Sequence, residues 1–199
     1  MTKFIFDLDG TVTKDETLPL ISKHFNVEEE LMNLTMDTVQ GRVPFVESFI
    51  RRVYILGKLP VNDVSELLRS VELYDEVVNF INSNSDNCCI ATGNLRCWTK
   101  ELEKIIRCPF YCSEGRVKDD NVEKIESILK KENIVKRYKA EGYKVVFIGD
   151  GNNDVEAMRY ADVSIASALT HTPASAVLSV ADYCVYTEVA LCRQLNQLL

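Results

Sequence analysis

Two acidic clusters and one polar turn hold most of the chemistry this chain can do. Asp7-Leu8-Asp9-Gly10-Thr11 and Gly149-Asp150-Gly151-Asn152-Asn153-Asp154 each end a short apolar run. A strand that stops in acids, then a glycine that lets the backbone turn sharply, presents its carboxylates at the sheet's carboxyl edge, where open α/β sheets bind ligands. If the two strands are neighbours, three or four carboxyls converge. Charges that close stay ionised only beside a cation, or one of them keeps a proton. Oxygen-only ligands with room for water and phosphate point to magnesium. Ala91-Thr92-Gly93-Asn94 adds a hydroxyl and free N–H groups at an expected helix start, an anion site by geometry and helix dipole. A calcium loop does not fit. Counted from Asp7, the glycine and glutamate positions of an EF-hand hold Val12 and Leu18; counted from Asp150, they hold Val155 and Ala161.

Positioning these groups takes a sheet whose strands end on one side. Apolar runs at 4–8, 88–92, 145–149, 163–166 and 183–186 alternate with amphipathic stretches at about 95–106, 121–139, 154–161 and 174–180. That alternation predicts an α/β fold, a Rossmann-like parallel sheet covered by helices. Residues 110–118 read as a small hairpin turning at Ser113-Glu114-Gly115. About 75 residues between the first two runs carry no strand signal, with breaks near Asn26, Gly41-Arg42, Gly57 and Asn62. An ordinary βα connection is far shorter, so an inserted helical cap is expected. The expected division is a core of 1–13 and 77–199 with a cap of 14–76.

Composition narrows the classes. The 199 residues carry 23 Lys+Arg against 30 Asp+Glu, a net charge of −7, and no basic stripe to neutralise a nucleic acid. Hydrophobic residues at 46% and charged residues at 27% are ordinary for a globular chain and argue against disorder. No apolar run reaches the ~20 residues of a membrane span, and Phe4-Ile5-Phe6-Asp7 follows the first residues without a secretory leader. The seven cysteines are odd in number and lie in apolar surroundings, which favours reduced, mostly buried thiols in a cytoplasmic protein. Cys108 and Cys112 lack the second pair a structural zinc site needs.

Taken in this order, the motifs resemble those of the haloacid dehalogenase-like superfamily, and within it the phosphoserine-phosphatase-like group with a helical cap. The resemblance runs over essentially the whole chain. Asp7 to Thr11 match the first motif, Thr92 the second and Asp150 to Asp154 the last; the second acid, Asp9, marks the phosphatases. The resemblance implies Asp7 as nucleophile, Asp9 as general acid and base, and magnesium at Asp7, Asp150 and the Asp9 backbone carbonyl with Asp154 close by. Thr92 and the N–H groups of Leu8, Asp9 and Gly93 would hold the phosphate, with Asn153 in the last motif counted among the substrate-binding residues. It also calls for a lysine near the start of the helix before the last motif. Lys118, just ahead of Asp119-Asp120, is preferred over Lys124, and Asn121 stands closest to the length-matched position.

Two cap residues point to a substrate. Glu16 lies nine residues past Asp7, where the resemblance implies a contact with a substrate ammonium; an acid stabilising the first turn of its own helix is the plainer reading. Arg52 corresponds to the arginine that grips a substrate carboxylate. It borders the apolar stripe of Phe45, Phe49, Val53 and Leu56, while Arg51 turns away. Thr92 stands where serine is usual, and Asn94, where glycine is common, re-dresses the pocket. His24 and His171 are isolated in sequence and read as structural, as does Trp98. The expectation is a magnesium-dependent phosphomonoesterase for a small phosphorylated metabolite, L-phosphoserine first, monomeric or homodimeric, without nucleic-acid or membrane partners. Another small phosphate ester, transfer to an alcohol, or a phospho-ligand-binding module are the alternatives.

Overall fold

The computed structural model describes residues 1–29, 31, 32, 34 and 43–199. Its sheet has seven strands in the order β4 (Asn121–Ser127), β3 (Phe110–Lys118), β2 (Cys88–Leu95), β1 (Thr2–Phe6), β5 (Lys144–Gly149), β6 (Val163–Ser167) and β7 (Tyr183–Val185), with β1 in the centre between β2 and β5. β1 is parallel to both, pairing Phe6 with Ile90 and with Ile148. The two acid-ended strands are therefore neighbours. β6 (Val163–Ser167) and β7 (Tyr183–Val185) continue the parallel sheet outward.

Both faces of the central strands are covered, which is why they read as unbroken apolar runs. Phe4 and Phe6 point to one face, where Phe80 of the helix Asp75–Ser83 meets Phe4 edge-on at 5.5 Å between centroids. Ile5 and Phe147 point to the other, among Val135, Tyr138, Ala157 and Met158 of the helices Lys131–Ala140 and Val155–Tyr160. The chain closes with a helix, Glu188–Leu198, that the apolar runs did not announce.

The inserted segment leaves and returns through one paired crossing: Lys14 N–H donates to Glu72 O at 2.8 Å, Tyr74 N–H to Val12 O at 3.0 Å, and Thr13 faces Leu73. Its described helices are Thr17–His24, Phe45–Leu56 and Val61–Arg69. The break expected at Gly41-Arg42 lies outside the described residues. Phe49, Val53 and Leu56 are buried, while Arg51 stays exposed and pairs with Glu47. Among the described residues, no helix is long and apolar enough to cross a membrane.

Two expectations fail between β2 and β5. Residues 110–118 are one strand, β3 (Phe110–Lys118), and 121–127 are not helical but form its antiparallel partner, β4 (Asn121–Ser127). The turn is at Asp119-Asp120, with φ of 49° and 62°, the left-handed pair that matches the twist of a two-residue hairpin. Val122 and Ile125, three apart, look helical in sequence. The pairing skips Glu123 and Glu126, so the two apolar side chains pack on one core cluster. The hairpin also bonds to the inserted helices: Val61 N–H donates to Asp120 O at 2.7 Å and Val122 N–H to Gly57 O at 2.9 Å.

Trp98 is the largest fully buried side chain, on the short helix Arg96–Thr99. Trp98→Ala removes a filled ring and is expected to cost about 3–5 kcal/mol, read as a lower urea midpoint at unchanged slope by circular dichroism.

Candidate active site

β1 ends by winding residues 8–13 into one tight turn, with the N–H groups of Thr11, Val12 and Thr13 all directed at the Leu8 carbonyl. Gly10 makes this possible at φ +67°, a conformation that costs other residues about 1–2 kcal/mol. β5 ends in a short helical turn, Asn152–Asp154. Asp154 Oδ2 accepts from the N–H groups of Asp150 and Gly151, at 3.0 and 2.9 Å, which locks that turn. The paired strands thus bring Asp7, Asp150 and Asp154 together, with one oxygen of each within 4.8 Å of the others, all three buried.

One lysine faces this cluster, and it is neither of the two expected. Lys131, 3% exposed, places Nζ 2.5 Å from Asp7 Oδ1 and 2.7 Å from Asp154 Oδ1. Lys118 and Lys124 are exposed on the β3–β4 hairpin, and Asn121 donates to Lys58 O. The error follows from reading 121–139 as one helix. The helix that precedes the last acidic motif begins at Lys131, and a cation in a first helical turn opposes the dipole unless anions meet it. That conflict was the signal in the sequence.

Asp7 Oδ1 also accepts the Leu8 N–H at 2.7 Å, which leaves the lone pairs of Oδ2 for chemistry. Asp9 turns away from the cluster. Its Oδ1 accepts from Thr17 N and Oγ1 at 2.8 and 2.5 Å, and its Oδ2 from Asn94 Nδ2 at 2.8 Å. Asn94 also donates to Thr17 Oγ1, and its buried Oδ1 has no partner among the described residues. β2 does not give way to a helix at Asn94. It runs on to Leu95 with a bulge after Ala91, and Thr92 Oγ1 accepts the Asn94 N–H. A register shift, and not the expected helix start, therefore surrounds Gly93.

Electrostatics divides the acids. Burial raises Asp9 to about 6, with Glu16 adding to the rise and Thr17 opposing it. Burial and Asp154 raise Asp150 to about 7. Asp7 is pushed well above the carboxylate range by burial and by Asp154, while Lys131 holds it back. Lys131 is raised in spite of its burial, by Asp154 and Asp7. A single ammonium does not neutralise three buried carboxylates, and the donors are all oxygen, so the cluster fits magnesium or a similar hard cation.

His171 is not isolated. Its Nε2 lies 3.0 Å from Glu16 Oε1 and 3.2 Å from Asp150 Oδ2. Arg52 is half-buried beside a cavity of about 330 Å³ that Leu18 and Met32 also line; burial lowers its pKa and the charge of Glu16 opposes that. His24 packs on Phe25. All seven cysteines are free, and burial pushes Cys112 up to about 11 and Cys108 to about 12, which keeps them as inert thiols.

A haloacid dehalogenase-like hydrolase family model matches residues 2–162. Among curated proteins, the phosphoserine phosphatase of Methanocaldococcus jannaschii is 25% identical over 81% of this chain and 83% of its own length. Those of Mycobacterium tuberculosis and Saccharomyces cerevisiae are each 23% identical, with 43% and 58% of their lengths spanned. Among solved structures, a substrate-bound phosphoserine phosphatase complex superposes with a TM-score of 0.81 at 21% identity, over 98% of both chains. A hydrolase of the same family from Salmonella enterica gives 0.83 at 18%, over 96% of this chain and 70% of that one.

Two outcomes follow from the charge balance. Asp9 and Asp150 bind protons more tightly folded than unfolded, so the metal-free protein loses stability as pH rises from about 4 through about 7. Thermal melts in EDTA should fall over that window, and saturating magnesium should raise the melting temperature more at pH 7.5 than at pH 5.5. Lys131→Met leaves Asp7 and Asp154 without their counter-charge and should cost about 3–5 kcal/mol at pH 7.5, less at pH 5, measured by urea unfolding.

Proposed function

The chain belongs to the haloacid dehalogenase-like hydrolases, and from that premise we propose that it is a magnesium-dependent phosphomonoesterase acting on L-phosphoserine. The observation that carries the reading is the pair of differently placed acids on one turn: Asp7 anchored by Lys131 and Leu8, Asp9 set apart on Thr17 and Asn94. Two carboxyls whose surroundings separate their tasks are what a nucleophile and a general acid need.

Asp7 Oδ2 attacks phosphorus, and the ester oxygen leaves with the proton of Asp9, giving the alcohol and an aspartyl-phosphate. Asp9, now ionised, takes a proton from water as that water attacks the same phosphorus, and the Asp7 carboxylate is released. At about 6, Asp9 supplies either state near neutral pH. Lys131, together with a bound cation, would keep Asp7 anionic against the burial and the Asp154 charge that raise it, and offsets the charge of the phosphoryl oxygens, while Thr92 and the backbone around Gly93 orient them. Asp7, Asp150 and the Asp9 carbonyl would hold the magnesium, whose charge stabilises the phosphoryl oxygens when bound. Asp154 is committed to Lys131 and to two backbone N–H groups and acts by fixing both partners.

For the substrate, Glu16 takes the ammonium and Arg52 the carboxylate. Names of relatives from three domains of life support L-phosphoserine. The inserted helices close over the site to exclude water from the first step.

Phosphate release from a panel of small phosphomonoesters tests this. L-phosphoserine should lead the panel, EDTA should abolish release, and Asp7→Asn should lower it by more than about 10³-fold. Metal- and Asp7-dependent turnover of another ester would keep the chemistry and replace the substrate. No turnover at all would leave a phospho-ligand-binding module.

A further inference from the structure

His171 stands on the loop between β6 and the helix Ser175–Leu178, and that loop is tied down along its length. Ala168 N–H donates to Val185 O at 2.8 Å and Ala174 N–H to Asp150 O at 2.9 Å. Thr170 Oγ1 donates to Gly10 O at 3.1 Å and lies 3.1 Å from the Tyr74 hydroxyl, at the crossing where the inserted helices rejoin the core. The ring is oriented as well. Nδ1 lies 3.2 Å from Thr172 O and Nε2 3.0 Å from Glu16 Oε1, and neither oxygen can donate, so the ring in this arrangement carries a hydrogen on both nitrogens and Nε2–H donates to Glu16. Nε2 faces Glu16 Oε1 and Asp150 Oδ2.

Among the described residues Glu16 has no other side-chain hydrogen bond, although its charge also reaches Arg52. It occupies the N-cap position of the helix Thr17–His24 but makes no capping bond, and 44% of its side chain is exposed. A flexible carboxylate must lose rotamer freedom before it can hold a substrate amine, and a group already held in place does not. The geometry around residue 10 shows how closely the partners converge: a Cβ on Gly10 would lie 3.2 Å from Asp150 Oδ2, Glu16 Oε1 and His171 Nε2 alike. A glycine is what leaves room for the three to meet.

We propose that His171 is a positioning residue for substrate selection: through Nε2 it holds the Glu16 carboxylate against the core, in place for a substrate ammonium. It touches no reacting atom. The proposal rests on the reading of Glu16 as the ammonium ligand, and it makes the preference for an amino substrate a property of a core loop as well as of the inserted helices.

The experiment measures kcat and KM for L-phosphoserine and for 3-phosphooxypropionate, the same ester without the amino group, in the wild type, His171→Ala and His171→Gln. Glutamine places an amide N–H near the position of Nε2; alanine does not. His171→Ala should raise KM for L-phosphoserine about tenfold relative to 3-phosphooxypropionate, chiefly in KM and not kcat, and His171→Gln should recover most of the preference. A wild-type preference that survives in His171→Ala, an equal loss on both esters, or a glutamine variant no better than alanine would overturn the positioning role alone. A wild type that does not prefer L-phosphoserine over its des-amino analogue would overturn the ammonium reading of Glu16, and with it the proposal.

Discussion

Crowding of like charge at the end of β1 and β5 governs this molecule. Three buried carboxylates lie with one oxygen of each within 4.8 Å of the others, and the unpaired cost of such charges exceeds the net stability of an ordinary domain. Lys131 answers part of that charge from inside the protein, at 2.5 and 2.7 Å, and the backbone N–H groups of Leu8, Asp150 and Gly151 answer more. What is left over is negative charge that the proposed cation would answer. Stability and function here oppose one another in the same few atoms.

The rest of the architecture distributes around that cluster. The parallel pairing of β1 with β5 sets the spacing of the acids, and the helix that begins at Lys131 delivers the counter-charge from behind. Past the bulge in β2, Asn94 meets Asp9 beside Thr17, so Asp9 is steered by polar neighbours while Asp7 is steered by a charge. Two carboxyls two residues apart thus acquire different surroundings, which chain distance alone would not provide.

The inserted helices enter this arrangement through their first residues. Glu16 and Thr17 stand where the chain leaves the core, and Thr17 bonds Asp9 directly while Glu16 meets His171. The β3–β4 hairpin touches the same helices from the far side, through the 57–62 connection. Motion of these helices would be transmitted to Asp9 at one end and to the hairpin at the other.

Much of this was legible in the order of residues. Apolar runs ending in Asp7 and Asp150 specify buried parallel strands with acids at one edge, because that pattern has few other solutions. The type of chemistry follows from residue types and short spacings, which are local. The lysine and the histidine were not legible, for two different physical reasons. Lys131 was hidden by β4, whose bulges give two apolar residues a helical spacing, so the helix start was misplaced and the lysine with it. His171 was hidden by distance: it stands 155 positions from Glu16, and the two meet through the sheet order and a loop pinned to Gly10. Local spacing decided which groups exist at each strand end; only the packing of strands and loops decided which of them share a charge.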